Sequence, residues 1–139
     1  MATAEMARWQ GWGLTVLRVV VGLVFAAHGG QKLFVMGLDA VEAFFGKLGI
    51  PLPAAAAVVV TIVELLGGLA LISGLYVRWA AVPLAVDMLV AMLMVHLPRG
   101  FFLPEGAEFV LTLLAACVAL ALLGGGRASL DARLSRPRR

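Results

Sequence analysis

Seven ionisable residues stand inside stretches of the chain that are otherwise apolar. Arg18, His28 and Lys32 fall in the first apolar run, Glu64 in the second, Asp87 and His96 in the third, and Glu108 near the start of the fourth. A charged side chain at the centre of a bilayer costs about 2.5–3.5 kcal/mol on the insertion scale, so such residues read as functional or paired. His28 and Lys32 are four residues apart on one helical face, and Arg18, Phe25 and Lys32 share a face at spacings of seven. His28, Lys32, His96 and Glu108 all fall in the outer third of their runs and could line one substrate pocket. Histidine, lysine and glutamate suit the hydrogen-bonding and protonation of a quinone head group. His28 and His96 would hold its carbonyls, and Lys32 would favour its reduced anion. Glu108, with His28, would exchange protons as the catalytic pair.

Depth along each helix, at ~1.5 Å per residue, puts Arg18 roughly 9 Å and Asp87 about 13 Å from the inner ends. Glu64 falls near mid-bilayer. These three are expected to form a structural intramembrane charge cluster, one cation facing two carboxylates. Either one carboxylate of such a set holds a proton or a second cation is nearby. Asp87 and His96 are nine residues apart, on opposite sides of an ideal helix. One site holding both therefore needs a bend near Pro98.

Plainer uses compete. Arg18, Glu64 and Asp87 could be ion pairs that only fix helix packing, and Lys32 a snorkelling anchor. Gly67, Gly68, Ala70 and Gly74 read as places where helices approach closely. Two histidines at similar depth could ligate a haem, but nothing else in the sequence supports one. His28, His96 and Glu108 lack HxxH or ExxH spacing, so no metal is assigned. Cys117 is the single cysteine, which leaves no dithiol pair, and it reads as an inert buried thiol.

The elements that must position these residues follow from composition. Of 139 residues, 63% are apolar and 14% charged, against roughly half and a quarter in a soluble domain. A span of ~30 Å of hydrocarbon needs ~20 apolar residues. The expected fold is an all-α integral membrane four-helix bundle forming a single transmembrane domain over residues 1–139, with spans at about 12–34, 53–75, 78–97 and 105–123. Residues 38–48, with Phe44, Phe45 and Leu48 on one face, read as a short interfacial helix between the first two spans. Pro51 and Pro53 close it, and Pro98-Arg99-Gly100 breaks the third span.

An even number of spans puts both termini on one side. Arg8, Arg78 and the arginines at 127, 133, 136, 138 and 139 cluster there. Lys47 and Arg99 on the other side are offset by Asp39, Glu42 and Glu105. The positive-inside rule then places both ends in the cytoplasm, with 124–139 as a basic tail at an anionic membrane surface. The net charge of +3 is thus directed at lipid and not at nucleic acid.

These residues also resemble a known family. His28-Gly29-Gly30-Gln31-Lys32-Leu33 is similar to an H-G-x-Q-K-L segment of the DoxX family. Glu64 with Gly67-Gly68, Gly74-Leu75 and Arg78 resembles its E-x-x-G-G…G-L…R pattern. His96, Gly100-Phe101-Phe102, Gly106 and Glu108 resemble its H-x-x-x-G-F-F…G-x-E stretch. Gly124-Gly125-Gly126-Arg127 and Ser129-Leu130-Asp131 resemble its G-P-G-R…S-L-D ending, with Gly125 in place of the usual proline. The resemblance implies a small four-helix protein of the bacterial cytoplasmic membrane. Relatives include a subunit of an archaeal thiosulfate:quinone oxidoreductase and members associated with quinone detoxification or thiol-oxidative stress. Three uses stay open on these grounds. One is a quinone-linked redox protein or subunit; another is a non-catalytic partner of other membrane oxidoreductase subunits, or a homo-oligomer. The third is a small proton-coupled carrier of a hydrophobic solute or lipid.

Overall fold

The structure, a computed structural model, describes residues 2–134. The first helix, α1 (Ala2–Gly30), runs on through a π-helical turn, Gln31–Met36. Gly37, at φ 80°, turns the chain into the short α2 (Leu38–Lys47). Next, α3 (Pro53–Ser73) opens with a proline in its first turn, where the missing N–H is not needed, and closes on Gly74 in the left-handed conformation. Then comes α4 (Val77–Ala91), extended by a π-helical turn, Met92–His96, and a 3₁₀ turn, Leu97–Arg99. A loop leads to α5 (Glu108–Leu123), and a short α6 (Leu130–Leu134) follows. Among the described residues there is no strand. The architecture is the all-α membrane bundle expected, with α2 in the place of the interfacial helix.

Three helical stretches are long and apolar enough to cross a bilayer: Thr3–Met36, Pro53–Ser73 and Val77–Arg99. The fourth, α5, has 16 residues and is ~24 Å long. It begins three residues after Glu105 because the preceding loop is folded against itself. Gly106 N–H donates to Phe102 O (2.9 Å), Ala107 N–H to Gly100 O (3.0 Å) and Glu108 N–H to Phe101 O (2.9 Å). Gly106 lies so close to the Phe101 and Phe102 carbonyls that a side chain there would collide with backbone.

The helices pack most extensively as two pairs, α1 with α3 and α4 with α5, while the α1–α5 seam is sparse. Glycines set the α1–α3 register. A Cβ on Gly22 would come within 2.7 Å of Gly68 O, and one on Gly29 within 2.5 Å of Leu65 N. Small residues let the two backbones touch, which is how helices gain contact in lipid, where apolar burial gives no drive. Gly68 does what the sequence suggested; Gly22 and Gly29 complete the seam. Inside, Phe25, Leu71, Leu84, Met88, Leu113, Cys117 and Leu120 form the core. Outside, Val20 and Leu23 of α1, Ile62 and Leu66 of α3, Val86 of α4 and Leu122 of α5 are exposed, as a lipid-facing surface requires.

Residues 124–134, within the stretch expected as a basic tail, fold back onto the bundle. Arg127 N–H donates to Gly11 O (3.0 Å), and Ala128 N–H to Thr15 Oγ1 (3.3 Å). Asp131 accepts from the N–H groups of Tyr76 (2.7 Å) and Val77 (3.0 Å), so it caps α4 from 54 residues away. The segment closes one end of the bundle and brings the C-terminal region against α1. Arg136, Arg138 and Arg139 lie outside the described residues.

Candidate functional site

Between α1, α3, α4 and α5, at the end away from α6, lies a cavity of about 350 Å³. Small-molecule sites run from ~300 to 1,000 Å³, so it takes a compact ligand. Its polar lining comes from His28, Lys32, Glu64, Asp87 and His96. Its apolar lining includes Phe25, Phe44, Phe45, Met88, Phe109 and Val110.

At its floor Lys32 Nζ forms an ion pair with Glu64 Oε2. Asp87, from α4, lies against Glu64 in a carboxyl–carboxyl contact and within reach of the Lys32 charge. Apart from that contact with Glu64, Asp87 is left short of donors: its Oδ2 is buried without a partner. Thr61, one turn before Glu64, is also buried with its hydroxyl unpartnered. One ammonium therefore faces two carboxyl groups, an arrangement that is neutral when the pair holds one proton between them. An unneutralised charge would be costly where Glu64 is buried.

The cation that faces the two carboxyl groups is thus Lys32, in the place expected for Arg18. Arg18 does not join Glu64 and Asp87. Buried to 2% exposure, it donates through Nη1 to Leu71 O and Ile72 O (both 2.6 Å), through Nε to Gly125 O (2.7 Å) and through Nη2 to Ala128 O (2.9 Å). The α1–α3 register explains the exchange. With Gly22 against Gly68 and Gly29 against Leu65, Lys32 meets α3 near Glu64, while Arg18 meets its C-terminal carbonyls. Those carbonyls lie in the last turn of α3, at the negative end of the helix dipole, where Leu71 O also accepts from the Gly74 N–H (3.2 Å).

Two layers expected to be separate are thus one site: Glu64 and Asp87 line the same cavity as His28, Lys32 and His96. The bend that would unite Asp87 and His96 is the π turn at Met92–His96. It takes up one residue, leaving eight α-helical steps between them, about 80° instead of 180° apart.

His28 Nδ1 bonds to Val24 O (2.8 Å), and its ring tilts at 35° against Phe109 with centroids 6.5 Å apart, across the sparse α1–α5 seam. His96 Nδ1 bonds to Glu105 O (2.9 Å). Glu108 does not line the cavity. Its Oε1 accepts from Leu103 N–H (2.7 Å), because α5 starts at Glu108 and its carboxylate meets the free N–H groups of the loop before it. The proton exchange assigned to it at the cavity has no geometric support.

Sequence reasoning missed Phe44 and Phe45 as cavity walls, although their shared face was visible; they were taken only as membrane-surface contacts. It also missed the Asp131 cap, for which the pattern Ser129-Leu130-Asp131, which opens the short α6, was the available signal. Among the described residues no three His, Cys, Asp or Glu side chains are arranged to hold a metal ion. The polar groups suit an organic head group.

Fold and site together define a helical membrane protein with one polar cavity inside an apolar bundle. The family model of DoxX matches residues 13–97, and the chain belongs to that family. It is 35% identical over 119 residues to a Bacillus subtilis protein named "Putative oxidoreductase CatD", covering 86% of this chain and 84% of that one. It is 37% identical over 131 residues to an uncharacterised membrane protein of Mycobacterium tuberculosis, covering 86% and 80%. An uncharacterised protein of Haemophilus influenzae is 28% identical over 131 residues, covering 91% and 94%. No solved structure matches the chain.

Proposed function

We propose that the chain is a quinone-linked redox protein, or a subunit of a membrane oxidoreductase assembly, that binds a quinone-type head group in the cavity and handles its protons. The observation that carries this is the convergence of His28, Lys32, Glu64, Asp87 and His96 on one apolar-walled space of about 350 Å³. Two-electron reduction of a quinone takes up two protons, and the reverse releases them. Such a site needs a flat apolar slot with proton-holding groups beside it. Phe25, Phe45 and Phe109 supply apolar walls, and the Lys32–Glu64–Asp87 set can hold or release a proton without leaving a bare buried charge. The role first given to Glu108 passes to this set.

The single cysteine, Cys117, is buried in the core and offers no dithiol, so the electrons come from a donor other than a cysteine pair of this chain. The printed name of the Bacillus subtilis relative is in keeping with redox work. The membrane is the bacterial cytoplasmic membrane in this reading, with both ends on the cytoplasmic side. Docking of residues 124–134 beside the first half of α1 supports the shared side, and the arginine distribution supports the direction.

Equilibrium binding of a short-chain benzoquinone analogue to the detergent-purified chain tests the proposal. Saturable binding of the analogue in at least one redox form is expected, and His28→Ala is expected to weaken the binding of its reduced form at least tenfold. Absence of saturable binding by the wild-type chain to either redox form of the analogue would end this reading.

A further inference from the structure

The polar groups of the cavity are unequal in kind. His28 and His96 each direct Nδ1 at a backbone carbonyl, Val24 O and Glu105 O. A carbonyl oxygen only accepts, so Nδ1 carries the hydrogen in both rings. The neutral imidazole then has a bare lone pair at Nε2. No other hydrogen bond engages either ring among the described residues. Asp87 is a third acceptor: no N–H or O–H of another described residue donates to it apart from any proton shared with Glu64. On the donor side stands Lys32, with one of its three hydrogens committed to Glu64.

A quinone brings only acceptor oxygens. It could satisfy Lys32, but its carbonyl lone pairs would confront the lone pairs of the two imidazoles, which offer them no donor. The reduced ring brings two O–H donors, and these answer His28, His96 or Asp87, while its oxygens still accept from Lys32.

Resting on the reading of the cavity as a quinone-type site, we infer that it recognises the dihydroxy, reduced form of its ring ligand through the Nε2 lone pairs of His28 and His96, and binds quinol in preference to quinone. A site whose histidines offer lone pairs discriminates between a ligand that donates and one that only accepts, because the wrong partner leaves its hydrogen bonds unmade.

Three probes of one shape separate the possibilities: a short-chain benzoquinol kept reduced under anaerobic conditions, its quinone, and the dimethyl ether of the quinol. Each is measured by equilibrium dialysis against the full detergent-purified chain. The quinol is expected to bind at least tenfold more tightly than the quinone, equivalent to a rise of ~30 mV in the midpoint of the bound two-electron couple. The ether, which lacks O–H groups, is expected to bind no better than the quinone. His28→Phe and His96→Phe keep a ring and remove the acceptor; each is expected to weaken quinol binding about tenfold, roughly one charge-neutral hydrogen bond, with quinone affinity unchanged within about twofold. Equal binding of quinol and quinone, tighter binding of quinone, or an ether that binds like the quinol would each overturn the inference while leaving the cavity a quinone site. Failure of all three probes to bind would remove the site reading and this inference with it.

Discussion

At the scale of single residues, α1 carries two cations on one face whose fates diverge because their head groups differ. Arg18 is a planar fork with five N–H donors, and it satisfies four backbone carbonyls belonging to the end of α3 and the segment after α5. Lys32 is a point charge on a flexible stem, and it pairs with a carboxylate. Arg18→Lys should therefore fail to substitute. A lysine has three donors on one atom and cannot reach carbonyls spread around a guanidinium, so at least two would be left buried without a donor. At about 1–3 kcal/mol for each such group, the expected loss is roughly 2–5 kcal/mol. Thermal or denaturant unfolding of the purified protein reads it, and a midpoint equal to wild type would show that the fork is dispensable. Which residues were unusual was legible from the sequence, since a charge in an apolar run announces itself. The choice of partner was not. Depth estimates treat each helix alone, whereas Arg18 found backbone carbonyls through a glycine-set register and a C-terminal segment that no hydropathy profile reveals.

At the scale of elements, the site depends on a helix that is not an α-helix throughout. The π turn at Met92–His96 rotates His96 back toward the side of Asp87, and a helix apolar all round gives no periodicity from which such a slip could be read. The sequence showed only the conflict, nine residues between two groups that would have to meet, and Pro98 as the nearest irregularity. A π turn behaves as a one-residue insertion that persists where function holds it. Deleting Met94 should remove the extra residue, convert the turn to α-helix and leave His96 eight α-helical steps from Asp87, about 80° around the axis and still on the cavity side. The expected outcome is binding of the quinol probe within about threefold of wild type, with an unfolding midpoint close to wild type. At least tenfold weaker binding by the deleted, folded chain would show that the turn does more than set the side on which His96 stands. The loop from Gly100 to Ala107 shows the same limit of sequence reading. Glu108 was placed in the pocket from its position one turn into an expected span, but the loop's own hydrogen bonds delay α5 to Glu108 and turn its carboxylate onto Leu103 N–H.

At the scale of the whole molecule, the bundle is polar at one inner cavity, closed at one end and greasy outside, and its orientation follows from how charge is divided between the ends. Long apolar runs made the membrane bundle legible from composition, because no soluble core of 139 residues could bury them. The closed end was hidden, since Arg127 and Arg133 look like part of a solvated tail, whereas the Arg127 and Ala128 N–H groups dock on α1 and Asp131 docks on α4. That docking ties the C-terminal region to the end where α4 begins, so Arg78 and Arg99 mark opposite ends of α4 and both are exposed. Cys117 has 0% exposure and gives no background to a thiol reagent in the folded protein. With the arginine-rich end in the cytoplasm, a membrane-impermeant maleimide applied to intact cells should label the Arg99→Cys variant and not the Arg78→Cys variant, which becomes reactive once the cells are permeabilised. The reverse pattern would invert the orientation and put the cavity, which opens toward the Arg99 end, on the cytoplasmic side. Equal labelling of both variants before permeabilisation would mean that α4 does not cross the bilayer, and the argument from buried charge in lipid would lose its premise.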